Sequence, residues 1–195
     1  FFSEGGTCLN IPGSILNIHQ FQFAQDLLSL KRELQILFVG ILLSLIDNLS
    51  VGKLRYTGYL KAMNESKIDV DNSIILIEND FDVFEEKLKK LFEDKKIDGI
   101  FAIDEDTATI AMKMAIKSGY KIPEDVNIIG FADGIWSRRL TPSLSTVSQH
   151  APEIGAKAAE LLIDRLENKE EVEIPEYKTV VIKTELRKRE STIKI

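Results

Sequence analysis

From residue 71 onward, short apolar runs alternate with longer stretches of helical spacing. Residues 73–77 (SIILI), 97–103 (IDGIFAI) and 126–131 (VNIIGF) read as strands, because near-continuous apolar runs of this length suit a sheet covered on both faces. Between them, residues 81–95 place Phe84, Leu88, Leu91 and Phe92 on one face of a helix. Residues 104–118 do the same with Ala108, Ala111, Met112 and Ala115, and Gly119 follows as the helix C-cap. Upstream, residues 48–65 open on Asn48 and Ser50 as caps and align Val51, Leu54, Gly58 and Ala62. The small Gly58 and Ala62 would let that helix approach a sheet closely. Downstream, residues 152–168 carry Ile154, Ala158, Leu161, Leu162 and Leu166 on a face, and residues 179–183 read as a strand. Alternation of this kind predicts right-handed crossovers and a parallel sheet.

The remaining stretches are less regular. Residues 1–20 hold turn signals, Gly5-Gly6 and Pro12-Gly13, around a short apolar piece. Residues 23–33 have helical spacing, 35–40 (QILFVG) read as a strand, and 41–46 continue apolar with no period that decides their state. The strand at 126–131 ends in a small polar loop, Ala132-Asp133-Gly134. A Pro142-marked segment follows, closed by Leu144-Ser145-Thr146-Val147, and it is expected to cross to another part of the molecule. The charged tail at 186–190 is expected to be exposed.

At 195 residues, 44% of them hydrophobic, the chain is one large domain or two small ones with a real core. A formal charge of −6 argues against this chain holding nucleic acid by itself, since phosphate binding needs a basic face. The single cysteine, Cys8, excludes a disulfide within the chain and fits a reducing, cytoplasmic compartment. The most apolar run, 36–46, is shorter than the roughly 20 residues that span a bilayer. No basic segment and apolar core open the chain, so no signal peptide is read. The start at Phe1-Phe2, without Met, is expected to reflect an N-terminal truncation.

Three of the strands end alike, on Glu78-Asn79-Asp80-Phe81, Asp104-Glu105-Asp106-Thr107 and Ala132-Asp133-Gly134. In a parallel sheet these loops share the carboxyl edge, where open α/β sheets place ligands. That edge gathers Phe81, Asp104 and Asp133, with Trp136 nearby, and Arg55 is one turn into the helix that can reach it. An aromatic plate beside Asp and Arg hydrogen-bonders suits a small polar ring, sugar or nucleobase. Each residue also has a plainer reading: Asp104 or Asp106 as a helix cap, Phe81 as core, Arg55 as a solvated helix residue. No catalytic residues are assigned. His19 and His150 stand far apart in sequence, and neither GxSxG, a P-loop nor HExxH occurs. Asp104-Glu105-Asp106 reads as capping rather than a cation site, so no metal and no cofactor are expected. Lys89-Lys90 and Arg138-Arg139 read as solvated surface.

The stretch from Pro123-Glu124-Asp125 through Gly130-Phe131, Thr141-Pro142-Ser143-Leu144-Ser145-Thr146-Val147-Ser148-Gln149 and Gly155, Ala158, Leu161, Leu162 resembles the effector-binding core of LacI/GalR-type bacterial transcription regulators. LSVGKLRYTGYLKAM, containing Arg55, and TELRKREST resemble that family's first distal helix and closing strand. The resemblance implies an α/β fold of the periplasmic-binding-protein-like kind: two doubly wound lobes with parallel sheets, joined by crossover segments. It implies a proximal lobe from 1–47 plus 147–172, incomplete here, and a distal effector-binding lobe from 48–142 plus 178–191. It also implies a small-molecule effector in the cleft, a homodimer, no membrane, and operator DNA bound only through a helix-turn-helix head absent from this chain. Carried over, Arg55 matches the effector-gripping arginine and Phe81 the stacking aromatic, and Asp104 takes a cleft position. The family's cleft aspartate directly follows Gly-Phe/Tyr. Here Ala132 takes that place and Asp133 comes one residue late. The effector-binding set is thus Arg55, Phe81, Asp104, Asp133 and Trp136. A transport-type solute-binding protein of the same fold is the alternative, and a Rossmann-like enzyme is the third class considered.

Overall fold

A computed structural model describes residues 6–11, 14–19, 39–44, 50–65, 67–94, 97–131, 133–167 and 178–193. In chain order the elements are β1 (Gly6–Ile11), β2 (Ser14–His19), β3 (Val39–Ser44), α1 (Ser50–Glu65), β4 (Ile75–Glu78), α2 (Phe81–Glu93), β5 (Gly99–Ala102), α3 (Glu105–Lys117), β6 (Asn127–Phe131), β7 (Ser145–Ser148), α4 (Ala151–Glu167), β8 (Lys178–Lys183) and β9 (Glu185–Arg187). Short 3-10 turns precede β4 (Asn72–Ile74) and follow β6 (Ile135–Arg138).

Six strands form one sheet in the order β4-β3-β5-β6-β7-β9, parallel except for β9, which runs antiparallel to β7. Alternate side chains of its central strands face opposite sides. Phe101, Ile103, Ile129, Phe131 and Val147 pack with Tyr59, Ala62 and Met63 of α1. Ile100, Ala102, Ile128 and Leu144 pack on the other side with Phe84, Leu88 and Phe92 of α2 and Ala108, Ala111 and Ala115 of α3. The expected helical faces of α2 and α3 are therefore the buried ones. Gly130 lets α3 come close: a Cβ there would meet Ala108 Cβ and Leu144 Cδ2 at 3.1 Å. On α1 the buried side chains among the described residues are Tyr59, Ala62 and Met63. A second, three-stranded sheet, β1-β2-β8, is antiparallel between β1 and β2 and parallel between β2 and β8. Helix α4 lies against β2.

Several expectations are corrected. The strand expected at 35–40 is β3, at Val39–Ser44, hydrogen-bonded to β4 and β5 in the six-stranded sheet. The run is apolar throughout, so only its sheet partners select the register. Residues 39–44, expected with the proximal lobe, and all of β7, including its last residues 147–148, belong to the six-stranded sheet. Residues 178–183, expected with the distal lobe, pair with β2 in the smaller sheet. The chain leaves the larger sheet at Gln149–His150 and re-enters it through Thr184 alone. The segment after the 131–134 loop thus adds a strand to the same sheet before it crosses.

Within the tail expected to be exposed, Lys188 and Glu190 are exposed while Leu186, Arg187 and Arg189 are half-buried, and the residues that follow it are tied down. Ser191 and Thr192 are buried. The Ser145 amide donates to Ser191 Oγ at 2.8 Å, Ser191 Oγ donates to the Ile128 carbonyl at 2.6 Å, and the Arg189 amide donates to Ser145 Oγ at 2.7 Å. A helix expected at 23–33, residue Ala132 and the charged turn at 169–171 lie outside the described residues.

Candidate functional site

The carboxyl edge of the larger sheet is built by the ends of β5 and β6 and the start of α1. Helix α1 runs across the sheet with Tyr59 and Ala62 inward, which turns Arg55, one turn earlier on the same side, toward that edge. The Arg55 guanidinium stacks over the Phe131 ring, 4.1 Å from its centroid, and Nη1 donates to the Ile103 carbonyl at 2.5 Å. Stacking on an aromatic face suits a planar, weakly hydrated cation. Arg55 Nε is buried without a hydrogen-bond partner among the described residues. Burial lowers the Arg55 pKa to about 10, and the nearby Asp104 carboxylate offsets part of that shift.

Asp104 caps α3: its Oδ1 accepts from the Thr107 amide and from Thr107 Oγ1, each at 2.7 Å. The plainer reading of Asp104 as a cap therefore holds, and the same residue supplies negative charge beside Arg55. A capped carboxylate is held in one rotamer, which suits a group that must meet a ligand without reorganising.

Phe81 opens α2 after its N-cap Asp80 and is 44% exposed, so it is not the core residue of the plainer reading. Trp136, in the 3-10 turn after β6, is 60% exposed. The two line a cavity of about 520 Å³ with Glu105, Asp106, Thr109, Ile110 and Leu140. The volume falls in the ordinary range for small-ligand sites, about 300–1,000 Å³. The structure therefore brings Arg55 and Asp104 together over Phe131, and Phe81 and Trp136 together along the first turns of α3. Residues 104–106 join the two halves.

Asp133 is placed elsewhere. Its side chain is 7% exposed and sits in a cluster of donors. Oδ1 accepts from Arg189 Nη2 at 2.6 Å and Thr146 Oγ1 at 3.0 Å, and Oδ2 is paired with Arg187. Arg138 Nη2 approaches to 3.5 Å, so this surface arginine is partly engaged. Burial opposes the charge. Bonds from Arg189 and Thr146, with the charges of Arg189 and Arg187, outweigh it and hold the carboxyl below its ordinary pKa.

Arg187 and Arg189 were read from the sequence only as exposed tail, and Glu105 only as part of a helix cap. The two arginines stand at i and i+2, the spacing that puts neighbours on one face of an extended chain, and that spacing was the available signal. Glu105 gave none. Its Oε1 is buried without a partner among the described residues, and a Cβ added at Gly134 would overlap its carboxylate. No group of His, Cys, Asp and Glu among the described residues could hold a metal ion. No helix there is long and apolar enough to cross a membrane.

The family profile described as "Periplasmic binding protein-like domain" matches residues 35–192. The chain is 32% identical over 188 residues to the HTH-type transcriptional regulator RegA of Clostridium saccharobutylicum, covering 92% of this chain and 53% of that protein. It is 31% identical over 147 residues to the HTH-type transcriptional repressor PurR of Haemophilus influenzae, covering 74% of this chain and 43% of that repressor. Among solved structures it is similar to a LacI-family regulatory protein from Chloroflexus aggregans, with TM-score 0.77, 27% identity, and 90% of this chain and 62% of that chain covered. The complex of the regulator CelR with cellobiose shares the fold at TM-score 0.79 and 22% identity, covering 96% of this chain and 57% of that one. The chain thus spans about half the length of the curated relatives it matches. With its parallel sheet order, its carboxyl-edge arginine and these matches, the chain belongs to the periplasmic-binding-protein-like domain family, in the form found in LacI/GalR-type transcription regulators.

Proposed function

We propose that this chain is the effector-sensing part of a LacI-type transcription regulator. It binds a small polar ligand, sugar-like or nucleobase-like, at the carboxyl edge, where Arg55 and Asp104 read hydroxyls or ring nitrogens. Phe81 and Trp136 offer apolar faces on the adjoining cavity. Ligand binding modulates operator DNA through a helix-turn-helix head beyond this chain, in a cytoplasmic homodimer, and no chemistry is performed on the ligand. The observation that carries this reading is Arg55 itself: a half-buried guanidinium stacked on Phe131 beside Asp104, with Nε buried and unpaired among the described residues. Burying a cation without full pairing costs stability, so a ligand that completes its hydrogen bonds is favoured. The curated relatives carry regulator names, which favours this reading over a transport-type binding protein.

The test begins with a thermal-shift screen of sugars, sugar phosphates and nucleobases, followed by calorimetry on the best binder. Arg55→Ala should weaken binding by about 10- to 100-fold, as expected for a charged hydrogen bond of ~1.5–3 kcal/mol. Arg55→Lys should recover only part of it, because an ammonium neither stacks nor forks. Unchanged affinity in Arg55→Ala would remove that residue from the site.

A further inference from the structure

Asp133 follows the ligand edge directly in sequence: Phe131, which carries Arg55, stands two residues before it, and Gly134, against Glu105, one residue after. In space it is bonded to the two strands by which the chain leaves and re-enters the larger sheet. Thr146 lies on β7, whose chain departs at Gln149–His150 into α4. Arg187 lies on β9, which the chain enters from β8 through Thr184. The two crossings are neighbours, with His150 Nε2 at 3.7 Å from Glu185 Oε2. Arg189 closes the arrangement, since its Nη1 donates to Thr146 Oγ1 at 2.8 Å and to the Leu144 carbonyl at 2.6 Å, while Nη2 bonds Asp133. Both carboxylate oxygens of Asp133 are thus engaged by protein donors.

We propose that Asp133 is a positioning residue that joins the ligand edge to two of the crossings between the two sheets, those after β7 and before β9, rather than a group that contacts the effector. The proposal rests on the effector-sensing reading of the edge. A shift of residues 133–134 then moves β7 and β9 together, because one carboxylate holds both. Coupling carried this way needs a continuous physical connection, and the bonds through Thr146, Arg187 and Arg189 supply one.

Hydrogen exchange by mass spectrometry on this chain tests it, with wild type, Asp133→Asn and Arg55→Ala, and with D-ribose, cellobiose and hypoxanthine as probes. Asparagine keeps the size and one acceptor but removes the charge. Without a probe, Asp133→Asn should speed exchange in 145–150 and 184–189 together while 75–78 and 99–102 stay as in wild type. A probe that binds wild type should protect both crossings. In Asp133→Asn it should bind within about fivefold of wild type, yet that remote protection should be lost. A uniform rise in exchange, or a rise confined to 133–140, overturns the proposal. So does a loss of affinity equal to that of Arg55→Ala with unchanged exchange at the crossings, which would make Asp133 a ligand contact. If no probe binds wild type, the effector reading fails for these compounds, and the probe-free exchange pattern still decides the role of Asp133. Arg187→Lys, which keeps the charge but weakens one arm, should give the same pattern at smaller amplitude and serves if Asp133→Asn does not fold.

Discussion

Arg55 and Asp133 are both charged, both at the edge of one sheet, and differ in what surrounds the charge. Arg55 is half-buried with its Nε unpaired among the described residues, whereas Asp133 is held by donors on both oxygens. Their pKa values move accordingly: burial lowers that of Arg55, and the arginine partners lower that of Asp133 against the effect of its burial. For Asp133 the folded-state pKa lies below the unfolded one. Its contribution to stability is therefore present above the ordinary aspartate pKa and is lost as pH falls through the folded value. Thermal unfolding of wild type and Asp133→Asn should differ most near neutral pH, and the gap should narrow as pH is lowered below about 4. A gap independent of pH would remove the charge from the explanation. A second contact is purely steric. Gly134 has φ −69° and ψ 167°, which any residue adopts, so the constraint there is the Glu105 carboxylate, which occupies the space of a Cβ. That carboxylate ends a flexible side chain that can swing away, so Gly134→Ala should cost no more than about 1 kcal/mol. Adding Glu105→Ala should return part of it in a double-mutant cycle of unfolding midpoints.

Helix α4 shows how an amphipathic pattern is used unevenly. The face read from its sequence includes Leu161, Leu162 and Leu166. Leu161 is 6% exposed, whereas Leu162 and Leu166 are 44% and 57% exposed. Leu161→Ala should cost about 2–5 kcal/mol, the range for a buried leucine, and Leu166→Ala should stay within about 0.5 kcal/mol. Chemical unfolding of the two variants measures the contrast. Helices α2 and α3 instead bury the residues their spacing marked, because both pack on one face of the completed six-stranded sheet. Strand β3 is the opposite case. Its run is apolar on both faces, so no period marks where the strand begins, and the pairs with β4 and β5 decide it.

The described residues form two sheets, and the chain passes between them where no composition change announces it. A single residue, Thr184, separates β8 in one sheet from β9 in the other. The sequence reads 179–183 as a strand and 186–190 as a charged tail, with no mark that their hydrogen-bond partners lie in different sheets. The alternation of strands and helices from β4 to β6 was legible because its signal is local: apolar spacing and capping act within a few residues along the chain. The positions of Arg55, Asp104 and Phe81 at the carboxyl edge were legible for the same reason, since a parallel sheet sends every strand's following loop to one side. The role of Asp133 was not. Its partners, Thr146, Arg187 and Arg189, stand 13, 54 and 56 residues away in sequence, and only the folded sheet brings them to one carboxylate. Local chemistry set the strands, the helices and the edge they share. Register in the apolar run, the points of crossing between sheets and the pairing of charges were decided by the tertiary fold, because each depends on neighbours distant along the chain.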